Sequence, residues 1–177
     1  VGKMLPSIKV KTIHPETKKD LSRTHSGILC FQGDNIFTEY IMDSSKTKSA
    51  FENGWFVTGD IGKLDSDGFL FIEGRLSRFS KIGGEMIPHE TIEAEAIKIL
   101  DWQHDTQIKL VIVGIPHDRK GEELYLITTE NIDFTNLRSK LSKQLGNLFV
   151  PKKHKIVNEI PVLATGKLDL HTLKELV

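Results

Sequence analysis

The hydrophobic pattern changes its period near residue 75, and this change limits the possible folds more than any other feature of the chain. Before it, apolar and polar residues alternate over short runs separated by turn residues, the signature of half-buried strands. Residues 8–13 alternate and are followed by the turn His14-Pro15-Glu16-Thr17. Residues 27–31 and 55–60 form further apolar runs. Asp65-Ser66-Asp67-Gly68 separates the runs 61–64 and 69–72. Asp-Gly between apolar runs predicts a hairpin, because both residues tolerate positive φ. A calcium loop is not expected there: with Gly68 on that loop's glycine, Lys63 falls at the first ligand position and Gly74 at the last.

After residue 75, helical spacing appears. Pro88 opens a helix with Ile92, Ala96, Ile99 and Leu100 on one stripe. Residues 108–113 are a β-branched strand, 116–121 a polar turn, and 124–129 another strand. Asp133 or Thr135 can cap a helix with Leu137, Leu141 and Leu145 on one face. Residues 149–157 are extended after Pro151, and Asp169 starts a short helix carrying Leu170, Leu173 and Leu176. These patterns predict an α+β chain divided into residues 1–74 and 75–177. Charge does not mark the boundary, since the two parts carry −1 and +1.

At 38% hydrophobic and 27% charged, the 177 residues have the balance of a globular protein. Equal numbers of acidic and basic residues, 24 of each, leave no global basic field for nucleic acid. One cysteine, Cys30, excludes an internal disulfide and is expected in the core. No apolar run approaches the roughly 18 residues of a membrane span, so a soluble chain on the reducing, cytoplasmic side is expected. The start Val1-Gly2-Lys3-Met4 suggests a piece of a longer protein. The seven histidines never pair at i, i+4, so no metal site and no histidine-based nucleophile is assigned.

Four segments are more specific than packing requires. Gly54-Trp55-Phe56-Val57-Thr58-Gly59-Asp60 ends in a carboxylate that can accept hydrogen bonds from a vicinal diol such as ribose; a strand-end turn residue is the plainer reading. Arg75, Arg78 and Lys81 lead into Gly83-Gly84, a grouping suited either to phosphate or to an ordinary basic hairpin. Thr165-Gly166-Lys167 puts an ammonium on a tight turn, where it can neutralise a reacting phosphoryl or carboxylate group or simply face water. Between Phe134 and Asn158, the six cations Arg138, Lys140, Lys143, Lys152, Lys153 and Lys155 occur with no acid, as a solvated face or as a docking patch for an acidic macromolecule.

Taken in order, these segments resemble the adenylate-forming superfamily of acyl-CoA synthetases, luciferases and peptide-synthetase adenylation domains. Val1-Gly2-Lys3-Met4-Leu5-Pro6, Ser26-Gly27-Ile28-Leu29 with Tyr40, Gly54 to Asp60, Gly74-Arg75 and Thr165-Gly166-Lys167 each match a family stretch. Within the family, Gly74 to Met86 is similar to the acyl-acyl carrier protein synthetase half of bacterial 2-acylglycerophosphoethanolamine acyltransferases, as is Gly166-Lys167-Leu168-Asp169.

The resemblance implies a fold and a chemistry. Residues 1–74 become a small β-barrel-like subdomain at the end of a large AMP-binding domain, and residues 75–177 a mobile α+β lid. A fatty acid attacks the α-phosphate of Mg-ATP to form acyl-AMP, and a pantetheine thiol, of acyl carrier protein or of CoA, then takes the acyl group. Asp60 and Arg75 would bind ATP or AMP, and Lys167 would be catalytic in adenylation. Ser77 would be the hinge, and Lys81 and Gly84 would serve the thiol-transfer conformation. Many relatives have Asp or Lys where this chain has Ser77, and arginine where it has Met86. The phosphate loop, the Mg2+ ligands and the acyl pocket would lie upstream, in a missing N-terminal domain, so the fragment alone is expected to be inactive. The parent could carry a fused acyltransferase and an inner-membrane attachment. A fatty acyl-CoA ligase and a non-catalytic carrier-protein-binding module are the alternatives.

Overall fold

A computed structural model describes residues 1–119 and 121–177. The chain divides into two compact units, Val1–Ser77 and Arg78–Val177.

The first unit is built on one antiparallel sheet. Its strands are β1 (Gly2–Lys3), β2 (Lys9–Ile13), β3 (Asp20–Leu21), β4 (Gly27–Gln32), β5 (Phe51–Glu52), β6 (Trp55–Leu64) and β7 (Phe69–Arg75), with helix α1 (Ser44–Ala50) before β5. The order is β1-β7-β6-β4-β2-β3, and β5 pairs separately with β6. This is an open path. The expected barrel-like closure is not seen, because no described pairing joins β1 to β3. Val10, Leu29, Leu64 and Leu70 form the core on alternate strand positions. Cys30 lies in β4 at 1% exposure, and burial pushes its thiol up to about 11, which keeps it protonated and inert.

Two features of this unit differ from the expectation. Residues 55–64 are one strand rather than two, because Thr58-Gly59-Asp60 bulges out opposite Leu29 while pairing resumes on both sides. Helix α1 has no buried residue and therefore no apolar stripe to announce it. It is held by an N-cap, the Asp43 carboxylate accepting from the Lys46 amide at 2.8 Å.

The second unit is a layered α+β module. It comprises β8 (Phe79–Ile82), β9 (Glu85–Pro88), α2 (His89–Ile99), β10 (Leu110–His117), β11 (Gly121–Thr128), α3 (Phe134–Leu145), β12 (Lys153–Ile156) and α4 (Leu170–Glu175). Of the turn expected at 116–121, Pro116 and His117 extend β10, Gly121 opens β11, and Lys120 lies outside the described residues. The sheet runs β10-β11-β8-β9, with β12 parallel to β11.

The continuous apolar run of β10 follows from burial on both faces. Leu110 and Ile112 pack with Leu124 and Leu126 against Ile92 and Ala96 of α2 and Leu137 and Leu141 of α3. Val111 and Val113 pack with Ile127 against Leu173 of α4. Of the two α3 cap candidates, Asp133 and Thr135, Asp133 is the cap, through the Asn136 amide, and Asp169, expected at the start of α4, caps it through the Thr172 amide.

The core of this unit contains a hydrogen-bonded polar pair. His89 is 2% exposed, and its Nε2 lies 2.8 Å from the Ser80 hydroxyl. Burial, and then the charge of Arg78, pull its pKa down to about 3. The imidazole is therefore neutral when folded, while an unfolded chain takes up the proton below about 6.5. Stability should consequently fall as pH drops from about 6.5 toward about 3, at up to about 1.4 kcal/mol per pH unit from this one group. Urea unfolding followed by Trp102 fluorescence in a Trp55→Phe background measures the slope. His89→Gln, which keeps a polar partner for Ser80 but does not titrate, should flatten it.

Candidate active site

The bulge in β6 places the first candidate residues. Gly59 has φ +74°, open to glycine and strained for other residues. The Thr58 hydroxyl donates to the Leu29 carbonyl at 2.9 Å, replacing a lost ladder bond, and accepts from the Asp60 amide at 2.9 Å. Thr58 thus fixes the backbone that carries Asp60. Across the ladder, Asp60 is in register with Arg75 of β7. Arg75 Nε lies 2.8 Å from Asp60 Oδ1, and Arg75 Nη1 donates to the Thr58 carbonyl at 3.4 Å. Two residues fifteen apart in sequence become one carboxylate–guanidinium unit. The Arg75 side chain is 60% exposed, so the fork keeps open donors beside the carboxylate. Such a unit can accept from a diol and donate to an adjacent anion.

Ser77 follows in a short 3-10 turn, Leu76–Arg78, and is the last residue of the first unit. Lys81 lies in β8, where its amide donates to Glu122 Oε2 at 2.8 Å. It is paired in register with Met86. Gly83 and Gly84, at φ +61° and +95°, make the two-residue turn between the paired Ile82 and Glu85. A Cβ added at Gly84 would meet no atom within 4 Å, so its requirement here is backbone conformation rather than space. Beside this turn lies a cleft of about 320 Å³ lined by Ile82, Gly83, Glu122, Leu124, Leu148 and Val150.

Lys167 occupies a separate turn. The Leu163 amide donates to the Lys167 carbonyl at 2.7 Å, the Gly166 amide to the Leu163 carbonyl at 2.8 Å, and Val162 bridges Leu168. Gly166 takes φ +79°. The loop is closed at its base and exposed along its length, and among the described residues of this unit no ion pair holds the Lys167 ammonium. The structure therefore joins Asp60 with Arg75, sets Lys81 and Gly84 in one hairpin, and presents Lys167 on its own loop.

Arg78 is a correction. The alternation with Arg75 and Lys81 suggested a phosphate-binding cation, but Arg78 is buried inside the second unit. Its Nη2 lies 2.5 Å from both carboxylate oxygens of Glu93, and its Nη1 donates to the Ile112 carbonyl at 3.1 Å. Glu93 was not singled out from sequence, although an acid directly after Ile92, next to the apolar stripe of α2, was a signal. The basic run is also partly consumed: Lys153 meets Tyr125 Oη at 2.7 Å, Lys155 donates to the Leu176 carbonyl, and Arg138 lies over the Phe134 ring. Lys140 and Lys143 remain exposed on α3. No cluster of three or more His, Cys, Asp or Glu able to hold a metal ion occurs among the described residues, and none of the described helices is long and apolar enough to cross a membrane.

No protein-family model matches the chain. Individual proteins do. An oxalate–CoA ligase of Arabidopsis thaliana is 33% identical over 149 residues, covering 82% of this chain and 28% of that protein. A 2-succinylbenzoate–CoA ligase of Listeria monocytogenes is 32% identical over 156 residues, covering 84% of this chain and 31% of that protein. The crystal structure of ATP-bound MatB from Rhodopseudomonas palustris superposes with a TM-score of 0.77 at 30% identity, covering 99% of this chain and 35% of that one. The chain thus spans about a third of the proteins it matches. In sequence and fold it is similar to the C-terminal domain of adenylate-forming enzymes of the acyl-CoA synthetase superfamily.

Because Arg75 is largely exposed, its pairing with Asp60 should contribute little to stability. A double-mutant cycle with Asp60→Ala and Arg75→Ala should give a coupling of about 0.2–1 kcal/mol in thermal or urea unfolding. A much larger coupling would mark the pair as a structural element rather than an available binding unit.

Proposed function

We propose that this chain is the C-terminal part of an ATP-dependent ligase that activates a carboxylic acid as its acyl-adenylate and passes the acyl group to a pantetheine thiol. The observation carrying this reading is Lys167, an ammonium without an ion-pair partner among the described residues of its own unit, on an exposed loop closed at its base by backbone hydrogen bonds. In the first half-reaction a carboxylate oxygen attacks the α-phosphorus and pyrophosphate leaves. Two anionic groups must approach each other, and a fixed cation between them offsets the repulsion as charge moves in the transition state. Asp60 is assigned to the ribose hydroxyls and Arg75 to ribose or phosphate, in keeping with their apposition. Mg2+, expected with the nucleotide, has its ligands assigned to an upstream N-terminal domain.

In the second half-reaction the sulfur attacks the acyl carbonyl, AMP departs and the thiol proton is lost. Ser77 is assigned as the pivot, Lys81 as a contact to the intermediate, and Gly84 as part of the thiol's path. For the acceptor, the resemblance of Gly74 to Met86 favours acyl carrier protein with a fatty acid as donor. Met86, 37% exposed, supplies no cation for a phosphate where many relatives have arginine. CoA is the second reading, favoured by the CoA ligases among the similar proteins. A cytoplasmic-side parent, with or without a fused acyltransferase, agrees with either.

In the full-length protein, Lys167→Ala should lower adenylate formation by about a hundredfold or more, as removal of a transition-state donor does elsewhere. It should leave thiol transfer from supplied acyl-adenylate largely intact. Pyrophosphate release and single-turnover thiolysis read the two steps, and undiminished adenylation would favour a binding module without chemistry. Acceptor choice is read by supplying carrier protein or CoA. If the carrier is the acceptor, reversing charge at Lys140 and Lys143 should raise its KM and weaken the salt dependence.

A further inference from the structure

The boundary between the two units falls between Ser77 and Arg78, and an arginine is anchored on each side of it. Upstream, Arg75 is held in the β6–β7 ladder opposite Asp60 and bonds to Asp60 and the Thr58 carbonyl, all within the first unit. Downstream, Arg78 is anchored entirely within the second unit. β10 is the edge strand of its sheet, and the amide and carbonyl of Ile112 point away from β11. Among the described residues no neighbouring strand completes them. Arg78 Nη1 donates to the Ile112 carbonyl at 3.1 Å, Glu93 Oε1 accepts from the Ile112 amide at 2.6 Å, and the two side chains close the circuit through both carboxylate oxygens. The pair takes the place of a peptide from a missing strand. At 8% and 14% side-chain exposure it is protected from water, and such a buried circuit leaves an uncompensated charge if it is opened on one side.

We propose that Arg78 and Glu93 are positioning residues that confine turning between the units to Leu76 and Ser77. By fixing the start of β8 to α2 and β10, they hold Lys81 and the Gly83–Gly84 turn at a constant place in the second unit. This rests on the reading above that this hairpin serves thiol transfer. Every residue after Ser77 then moves as one body, and the hairpin arrives at the acceptor without a loose lead. The glutamate adds a second constraint, since α2, β10 and β8 cannot shift separately while its carboxylate bridges them.

The test uses the full-length protein. The paired variant Arg78→Met with Glu93→Leu removes both charges together, so that neither is left buried alone; Glu93→Gln, which keeps an acceptor for the Ile112 amide, is the milder second variant. Amide exchange should be slow at Ile112 and through residues 79–82 in the unaltered protein and fast only at Leu76 and Ser77. In the paired variant, exchange at Ile112 and 79–82 should quicken on the order of tenfold or more, and thiol transfer should slow by a similar factor relative to adenylation, as misplacement of a reacting group predicts. Arg78→Lys, which keeps the charge but not the fork, should fall between. An unchanged ratio of the two half-reactions in a folded variant overturns the proposal, and so does a parallel fall of both rates, which denotes a merely structural pair. Fast exchange extending through 79–82 in the unaltered protein also overturns it. Absence of adenylation by the unaltered protein would instead refute the ligase reading, while the exchange measurements would still decide where the joint lies.

Discussion

The second unit depends on how the exposed edge of β10 is closed. An edge strand presents amides and carbonyls that must find partners or stay wet, and those of Ile112 sit under α2 where water is excluded. Arg78 and Glu93 solve this with one donor fork and one acceptor. Placing two charges in a core carries a desolvation cost that mutual attraction alone often fails to offset. Here the cost is shared, because the same groups satisfy a backbone amide and carbonyl that would otherwise be orphaned. The arrangement also ties three elements that are distant in sequence, so the pair acts as a fastener for the layer of α2 over the sheet.

Asp60 and Arg75 are the same chemical types in an opposite setting. Their pair is exposed on the Arg75 side. Its geometry is set by the backbone: the Thr58 hydroxyl stabilises the bulge, Gly59 makes the required φ accessible, and the ladder brings Arg75 opposite Asp60. An ion pair of this kind adds little to stability and keeps its hydrogen-bonding capacity for something else. Burial thus separates two arginines only three residues apart, one committed to the fold and the other left available.

A ligase named for oxalate and one named for 2-succinylbenzoate match this chain at nearly equal identity. The chain is thus about equally like two ligases named for different acids. In this chain the region carries a bulged strand with its carboxylate, a glycine hairpin and a lysine loop. Each is a backbone device that presents a polar group.

The sequence by itself determined the elements whose signals are local. Alternation marked the strands of the first unit, the Leu137–Leu141 stripe with a cap at Asp133 or Thr135 marked α3, and Thr165-Gly166-Lys167 marked a turn with an exposed ammonium. The doubly buried run in β10 was legible as a strand because β-branched residues crowd a helix and pack well on a pleat. Only the tertiary structure decided the rest. A polar helix such as α1 has no periodic stripe, and a bulge that keeps its strand continuous looks like a break. Whether an arginine faces water or a buried glutamate depends on what packs across from it: Arg75 meets Asp60 and Arg78 meets Glu93 through separate ladders and helix contacts. Local spacing reports the path of the chain, whereas the fate of a charge is set by neighbours that only folding supplies.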